Sequence, residues 1–314
     1  MKILRRAYPL ILFFLALITV SSLALPRDGS EAAAQRTLAW SVVDTPADGP
    51  NGILRDCGIN DLAIGPDNRT FYVVSTDNRI PNPGLFKSTD AGYTWSSNIS
   101  NNLLRNGAFF PVWNIAVAPD DANFIIAITD NSSTATSGGP GMAYYSIDGG
   151  SNWTNAGLTL NINEYISCLD ISKSASGNRD IAIGTRSITS MPPVIGRLLT
   201  RRYSSSLSGT WADQPLPAGT TAVTSLKFSP NYTADQTLAA VSFTAAGAAL
   251  HLGQYGLPPA PILWDVLGGY PAAYPVLLGN TLSPPIVYPA GNIVRTGIQL
   301  PSDYTAGTDM SLSG

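Results

Sequence analysis

Apolar and polar residues alternate with a period of two at regular intervals along the chain, each time as two short runs divided by a polar turn. INDLAIGPDNRTFYVVST (59–76), WNIAVAPDDANFIIAITD (113–130), SCLDISKSASGNRDIAIGTR (167–186) and TSLKFSPNYTADQTLAAVSF (224–243) share this form. A period of two marks a strand with one buried and one wet face, and Pro, Asp, Asn and Gly between the runs supply the turn. Each segment is predicted to be a β-hairpin.

The tryptophans repeat in step with the hairpins. Trp40, Trp95, Trp153, Trp211 and Trp264 lie 55, 58, 58 and 53 residues apart, and Trp113 stands outside the series. A second hairpin carrying the tryptophan follows each first one, so a repeat holds about four strands, the size of a propeller blade. The reading is all-β: a β-propeller of four-stranded antiparallel blades at about 59–98, 112–157, 165–214 and 222–267, with the start of a fifth at 292–314. TLAWSVVD (37–44) is a lone strand that could complete the last blade from the other end of the chain. A fifth blade without its later strands would leave an unpaired edge. The chain is therefore expected to be cut short of further blades, the alternative being a closed four-bladed ring with a frayed tail. The interval from Leu267 to Asn292 reads as an irregular insertion.

Composition agrees with many short strands and tight turns: 12% charged residues, 29 Gly and 24 Pro. Residues 1–24 join a basic start (Lys2, Arg5, Arg6) to an apolar run and small residues at Ser21, Ser22 and Ala24. They read as a signal peptide or an uncleaved N-terminal anchor, with a linker at 25–36 and the repeats at 37–314. The protein is expected to be secreted or displayed at the cell surface. Removing residues 1–24 leaves 15 basic against 21 acidic residues, a formal charge of −6. No basic run follows Arg6 beyond Arg201–Arg202, so nucleic acid is not an expected partner. Cys57 and Cys168 fall in non-adjacent blades and are expected as unpaired thiols, a disulfide being the alternative.

Two segments carry a specific motif. Ser88-Thr89-Asp90-Ala91-Gly92-Tyr93-Thr94-Trp95 and Ser146-Ile147-Asp148-Gly149-Gly150-Ser151-Asn152-Trp153 both fit Ser-x-Asp-x-Gly-x-x-Trp. The pattern suits a hairpin turn, in which the Asp carboxylate accepts backbone N–H groups, Gly takes a positive φ and Trp caps an adjacent apolar layer. It resembles the Asp-box, or BNR, repeat of the sialidase-type β-propellers, a group that includes sialidases, xyloglucanase-type glycoside hydrolases, sortilin-like receptors and Ycf48-like assembly factors. SSSLSGTWADQP (204–215) and PPAPILWDVLGG (258–269) keep only the Trp. The resemblance implies a structural role on the outer rim for Ser88, Asp90, Gly92, Trp95, Ser146, Asp148, Gly150 and Trp153, away from the ligand funnel.

The resemblance also implies what a catalytic member would contain: an arginine cluster, a Tyr/Glu pair and an acidic residue. Arg79-Ile80-Pro81 matches an arginine element of sialidases but reads as a loop inside a blade. Glutamate occurs only at positions 31 and 164, and Glu164 and Tyr165, as neighbours on a strand, point to opposite faces. Facing carboxylates are what most glycosidases require. Asp61 and Asp170, on first strands, are the pair to test, against a duller role as satisfied residues lining a wet channel. His251 is the sole histidine, which excludes histidine-rich metal sites and makes a Ser-His-Asp triad a remote prospect. No cofactor or metal is expected. The Asn-x-Ser/Thr sites at Asn68, Asn98, Asn131, Asn152 and Asn231 matter only in a eukaryotic secretory route. The sequence thus favours a non-catalytic, exported propeller that binds a protein or glycan, the alternative being a glycoside hydrolase of sialidase or xyloglucanase type whose catalytic residues lie partly outside this chain.

Overall fold

The computed structural model describes residues 58–77, 80–104, 111–130, 139–161, 163–187, 196–204, 210–216, 218–244, 247–255, 261–265, 275–278 and 296–306. The expectations placed on residues 1–44, Cys57, Arg79 and Asn131, and most of the 267–292 insertion, fall outside these residues.

The described chain folds as four consecutive antiparallel meanders. The first contains β1 (Gly58–Ile64), β2 (Phe71–Asp77) and β3 (Ile80–Ser88). β4 (Val112–Ala118), β5 (Asp121–Asp130), β6 (Pro140–Ser146) and β7 (Thr154–Asn155) form the second. β8 (Glu164–Ile171), β9 (Arg179–Ser187), β10 (Leu198–Tyr203) and β11 (Ala212–Gln214) form the third. β12 (Ala222–Phe228), β13 (Thr237–Thr244), β14 (Gly247–Gln254) and β15 (Leu263–Trp264) form the fourth, where β16 (Val276–Leu277) also pairs with β14. Helical structure among the described residues is limited to a 3₁₀ turn at Ile99–Leu104 and one turn of α-helix, α1 (Tyr232–Asp235). The fold is all-β and of propeller type.

Among the described residues the first meander has three strands. After its tryptophan turn, Ser96 N–H donates to Lys87 O at 2.8 Å and the chain then enters the 3₁₀ turn. Residues 296–306, within the stretch expected to open a fifth repeat, run without strand pairing along the fourth meander. Ile298 packs with Val241, Phe243 and Ala248, and Ala306 N–H donates to Asp235 at 3.0 Å.

First strands lie against first strands: β1 packs on β4, β4 on β8 and β8 on β12. Each also carries a register shift near its start, between Ile59 and Asp61, Val112 and Asn114, Ile166 and Cys168, and Val223 and Ser225. The inserted residues are Asn60, Trp113, Ser167 and Thr224. A bulge bends the strand and re-aims its side chains, so its recurrence at one position in four meanders marks a repeat of backbone geometry as well as of sequence.

The second strand of each interior meander is buried on both faces. Along β5, Ile125 and Ala127 enter a cluster with Tyr72, Val74 and Leu85 of the first meander, while Phe124, Ile126 and Ile128 enter one with Ile166, Ile181 and Ile183 of the third. β9 behaves alike: Ile181 and Ile183 face the second meander, and Ala182 joins Leu238 and Ala240 of β13. The pattern follows from the pleat, which sends successive side chains to opposite faces. The tryptophans close these layers in one direction only. Trp153 packs on the cluster shared by meanders one and two, Trp211 on that of two and three, and Trp264 on that of three and four.

The two Ser-x-Asp-x-Gly-x-x-Trp turns make the same bonds through Ser, Asp and Gly and differ at the indole, since Trp95 Nε1 donates to Gly92 O at 3.0 Å and Trp153 Nε1 has no such partner. Ser88 Oγ donates to Asp90 at 2.8 Å and accepts Gly92 N–H at 2.8 Å; Ser146 does the same with Asp148 and Gly150, at 2.8 and 2.9 Å. Asp90 accepts Thr94 N–H at 2.9 Å and Asp148 accepts Asn152 N–H at 2.8 Å. Each carboxylate has a further donor that the motif does not specify, the side chain before the Trp: Thr94 Oγ1 and Asn152 Nδ2, both at 2.6 Å. Gly92 and Gly150 take φ of 89° and 92°. Gly149 takes φ of 71° and Ala91, at the matching place of the first turn, takes 63°. The bonds from Thr94 and Ser88 hold the Asp90 carboxyl at about 2, below its usual 3.8.

Cutting a central side chain should disturb two sheets at once. Ile126→Ala, at 1% exposure, is expected to cost about 2–5 kcal/mol in urea unfolding, whereas Ile59→Ala, at 59% exposure, should stay within about 0.5 kcal/mol. Equal effects would contradict the stacked-sheet packing. Because the folded Asp90 carboxyl titrates below its unfolded value, its contribution to stability is present above about pH 4 and disappears as the pH falls through about 2. A carboxyl-carbon NMR titration should place its midpoint near the lower value, and Thr94→Val should move it upward.

Candidate ligand-binding site

The two carboxylates put forward as a facing pair are both engaged between neighbouring first strands. Asp61 on β1 accepts Ile115 N–H and Asn114 Nδ2, each at 3.1 Å, from β4. Asp170 on β8 accepts Phe228 N–H at 2.7 Å and Lys227 Nζ at 3.1 Å from β12. Burial pushes the Asp170 carboxyl up, against the opposing pull of Lys227 and Phe228. Asp170 also lies two residues further past its strand's bulge than Asp61 does. Each carboxylate is thus a tie from one meander to the next.

Ile80 and Pro81 open β3, so this part of the arginine element lies in a strand rather than in the expected loop. Glu164 and Tyr165 diverge as the pleat requires. Tyr165 rests on Gly139, where a Cβ would fall 2.2 Å from its ring. Glu164, 4% exposed, is gripped by Arg197: Nε to Oε1 at 2.8 Å and Nη2 to Oε2 at 2.6 Å. Thr185 Oγ1 adds a bond at 2.5 Å and Asn161 N–H one at 2.8 Å. Burial raises the Glu164 carboxyl, but these donors outweigh it and hold the group below its ordinary range.

The structure also brings together a set of side chains that residue spacing alone did not suggest. His251 Nε2 lies 2.8 Å from Ser242 Oγ, and its Nδ1 lies 2.8 Å from Asp265 Oδ2. The atoms and order are those of a nucleophilic triad. Ser242 and His251 are 0% and 1% exposed, however, so the hydroxyl has no open face toward a substrate. The line instead bonds β13 to β14 and to the turn after Trp264, where Asp265 also accepts Leu252 N–H at 3.2 Å. The residues alone did not signal this line, because Ser242 closes the 224–243 hairpin and His251 lies in the strand after it, and only the pairing of β13 with β14 sets them together. Cys168 is a free thiol that burial pushes up to about 12. Among the described residues no three His, Cys, Asp or Glu side chains gather as a metal site, and no helix is long and apolar enough to cross a membrane.

Two exposed features among the described residues bear on ligand binding. Trp113, at the bulge of β4, is 37% exposed and its Nε1 donates to Asp130 at 2.5 Å. A cleft of about 410 Å³ runs between the segment after β7 and the outer strands β10 and β11; it is lined by Thr159, Arg197, Arg201, Thr210, Trp211 and Asp213 together with Gly157 and Leu199. Trp211 Nε1 donates to Ala156 O at 2.8 Å, and Arg201 Nη1 donates to the same carbonyl. Arg197 Nη1 meets Asp213 Oδ2 at 3.3 Å. Trp211 was legible in the sequence as one of the periodic indoles; the arginines and Asp213 were not, because β10 and β11 bring them together across the hairpin.

No protein-family model and no curated protein matches the chain. Solved structures with a similar course of the backbone include a GH74 enzyme from Niastella koreensis, 16% identical, with a TM-score of 0.40 over 69% of this chain and 31% of that one. They include a GH74 xyloglucanase from Xanthomonas campestris, 14% identical, with a TM-score of 0.41 over 68% of this chain and 39% of the other. YCF48 from Cyanidioschyzon merolae is 14% identical, with a TM-score of 0.28 over 67% of this chain and 71% of its own. The chain therefore spans between about a third and two fifths of the length of these GH74 proteins, and the likeness is one of architecture.

Proposed function

We propose that this protein is an exported, Asp-box-type propeller that works as a non-catalytic binding module for a protein or a glycan. The Asp-box assignment is supported by the bonds that Ser, Asp and Gly make alike in the 88–95 and 146–153 turns, down to the second donor on each carboxylate. The observation that carries the functional reading is the commitment of Asp61 and Asp170. Each carboxylate accepts from the backbone of the next first strand, whereas an acid or nucleophile for glycoside cleavage must turn an oxygen toward the sugar. The buried Ser242–His251–Asp265 line points the same way, since its hydroxyl is enclosed by the sheet.

The test combines stability with turnover in the full chain. Asp170→Ala should lose about 1–3 kcal/mol, because Phe228 N–H is left without its acceptor in a buried place. Neither the parent protein nor the Asp61→Asn/Asp170→Asn double variant should release fluorophore from an aryl sialoside or reducing ends from xyloglucan. Hydrolysis by the parent that disappears in a still-folded double variant would overturn the reading.

A further inference from the structure

We propose that the cleft between the segment after β7 and strands β10–β11 is a carbohydrate-binding site for a neutral pyranose unit of a glycan. This rests on the binding-module reading and names its place and its ligand class. The volume of about 410 Å³ lies in the lower part of the range of small-molecule sites.

Three features set the ligand chemistry. The first is a fixed aromatic face: Trp211 packs on the core between meanders two and three, and its Nε1 is anchored on Ala156 O, so the ring lines the cleft in one orientation. A rigid indole of this kind takes an amphipathic ring at small entropic cost. The second is a donor and an acceptor held side by side. Arg197 spends its Nε and Nη2 on buried Glu164, which locks the guanidinium plane, and this places Nη1 3.3 Å from Asp213 Oδ2. That spacing suits two adjacent ring hydroxyls, one accepting from the guanidinium and one donating to the carboxylate, and both bonds are charge-assisted. Thr159 and Thr210 add hydroxyls that can donate or accept. The third is charge balance. Arg197 and Arg201 are matched by Glu164 and Asp213, so the cleft has no surplus of positive charge to draw a carboxylated or sulfated sugar.

Isothermal titration of the full chain with cellotetraose, maltotetraose, mannotetraose and tetragalacturonate tests this. At least one neutral tetrasaccharide should bind saturably, with a shift in tryptophan emission, and tetragalacturonate should bind more weakly. Asp213→Ala, a half-exposed position outside the core, should weaken binding about tenfold or more; Trp211→Ala should abolish it, with Trp211→Phe retaining part if the aromatic face is what matters. Trp113→Ala should leave it unchanged. Neutral-sugar binding that survives both Asp213→Ala and Trp211→Ala would overturn the cleft while leaving the module reading intact. Tighter binding of tetragalacturonate would overturn the charge argument. Binding of none of the four would overturn the inference and leave the protein-binding arm of the proposed function standing.

Discussion

Burial of both faces of the second strand in every interior meander is the constraint from which the rest follows. A four-stranded antiparallel sheet has two faces and too little mass to hide either, so it is stable only between neighbours. β5 and β9 meet that need by sending alternate side chains into two different clusters. At about 25 cal/mol per Å² of apolar surface removed from water, such shared layers dominate the free energy available to a chain with few charged residues. The ties from Asp61 and Asp170 are secondary to this packing. They join polar groups of one first strand to the backbone of the next, and they fix how one meander is set against its neighbour.

That division of labour explains where free chemistry survives. Near the first strands, close packing leaves polar side chains little choice but to bond across the junction. At the outer strands the sheets are shorter, the connecting segment after β7 crosses the neighbouring meander, and a cleft opens. Its polar groups are oriented by one another: Glu164 sets Arg197 and Arg197 meets Asp213. The proposed binding cleft therefore sits at a seam between two sheets.

The hairpins, their spacing and the two Ser-x-Asp-x-Gly-x-x-Trp turns could be read from residues alone, because each depends on contacts within a few positions. Alternation in WNIAVAP and DANFIIAITD fixed β4 and β5, and the turn at 146–153 required only Ser146, Asp148 and Gly150. What depended on register between distant strands was not legible. A bulge inserts one residue, which period-two counting absorbs unnoticed, so Trp113 read as an indole out of series when it occupies the inserted position of β4. Asp61 and Asp170 read as a pair because both fall on first strands, yet their partners, Ile115 and Phe228, lie more than fifty residues away. His251 looked isolated for the same reason, since its neighbours are set by the pairing of β13 with β14.

The indoles give the stack a polarity. Every interior junction is filled by a ring belonging to the later meander and lodged against the earlier one. A meander therefore has a plug on one side and a socket on the other, and the two are not interchangeable. Beyond β13 the socket receives Ile298 and Leu278 in place of an indole. Reversing two meanders, or grafting one in with its plug facing the wrong way, would set ring against ring at one junction and leave a hollow at the other, so such rearrangements can succeed only when the order and sense of the units are preserved.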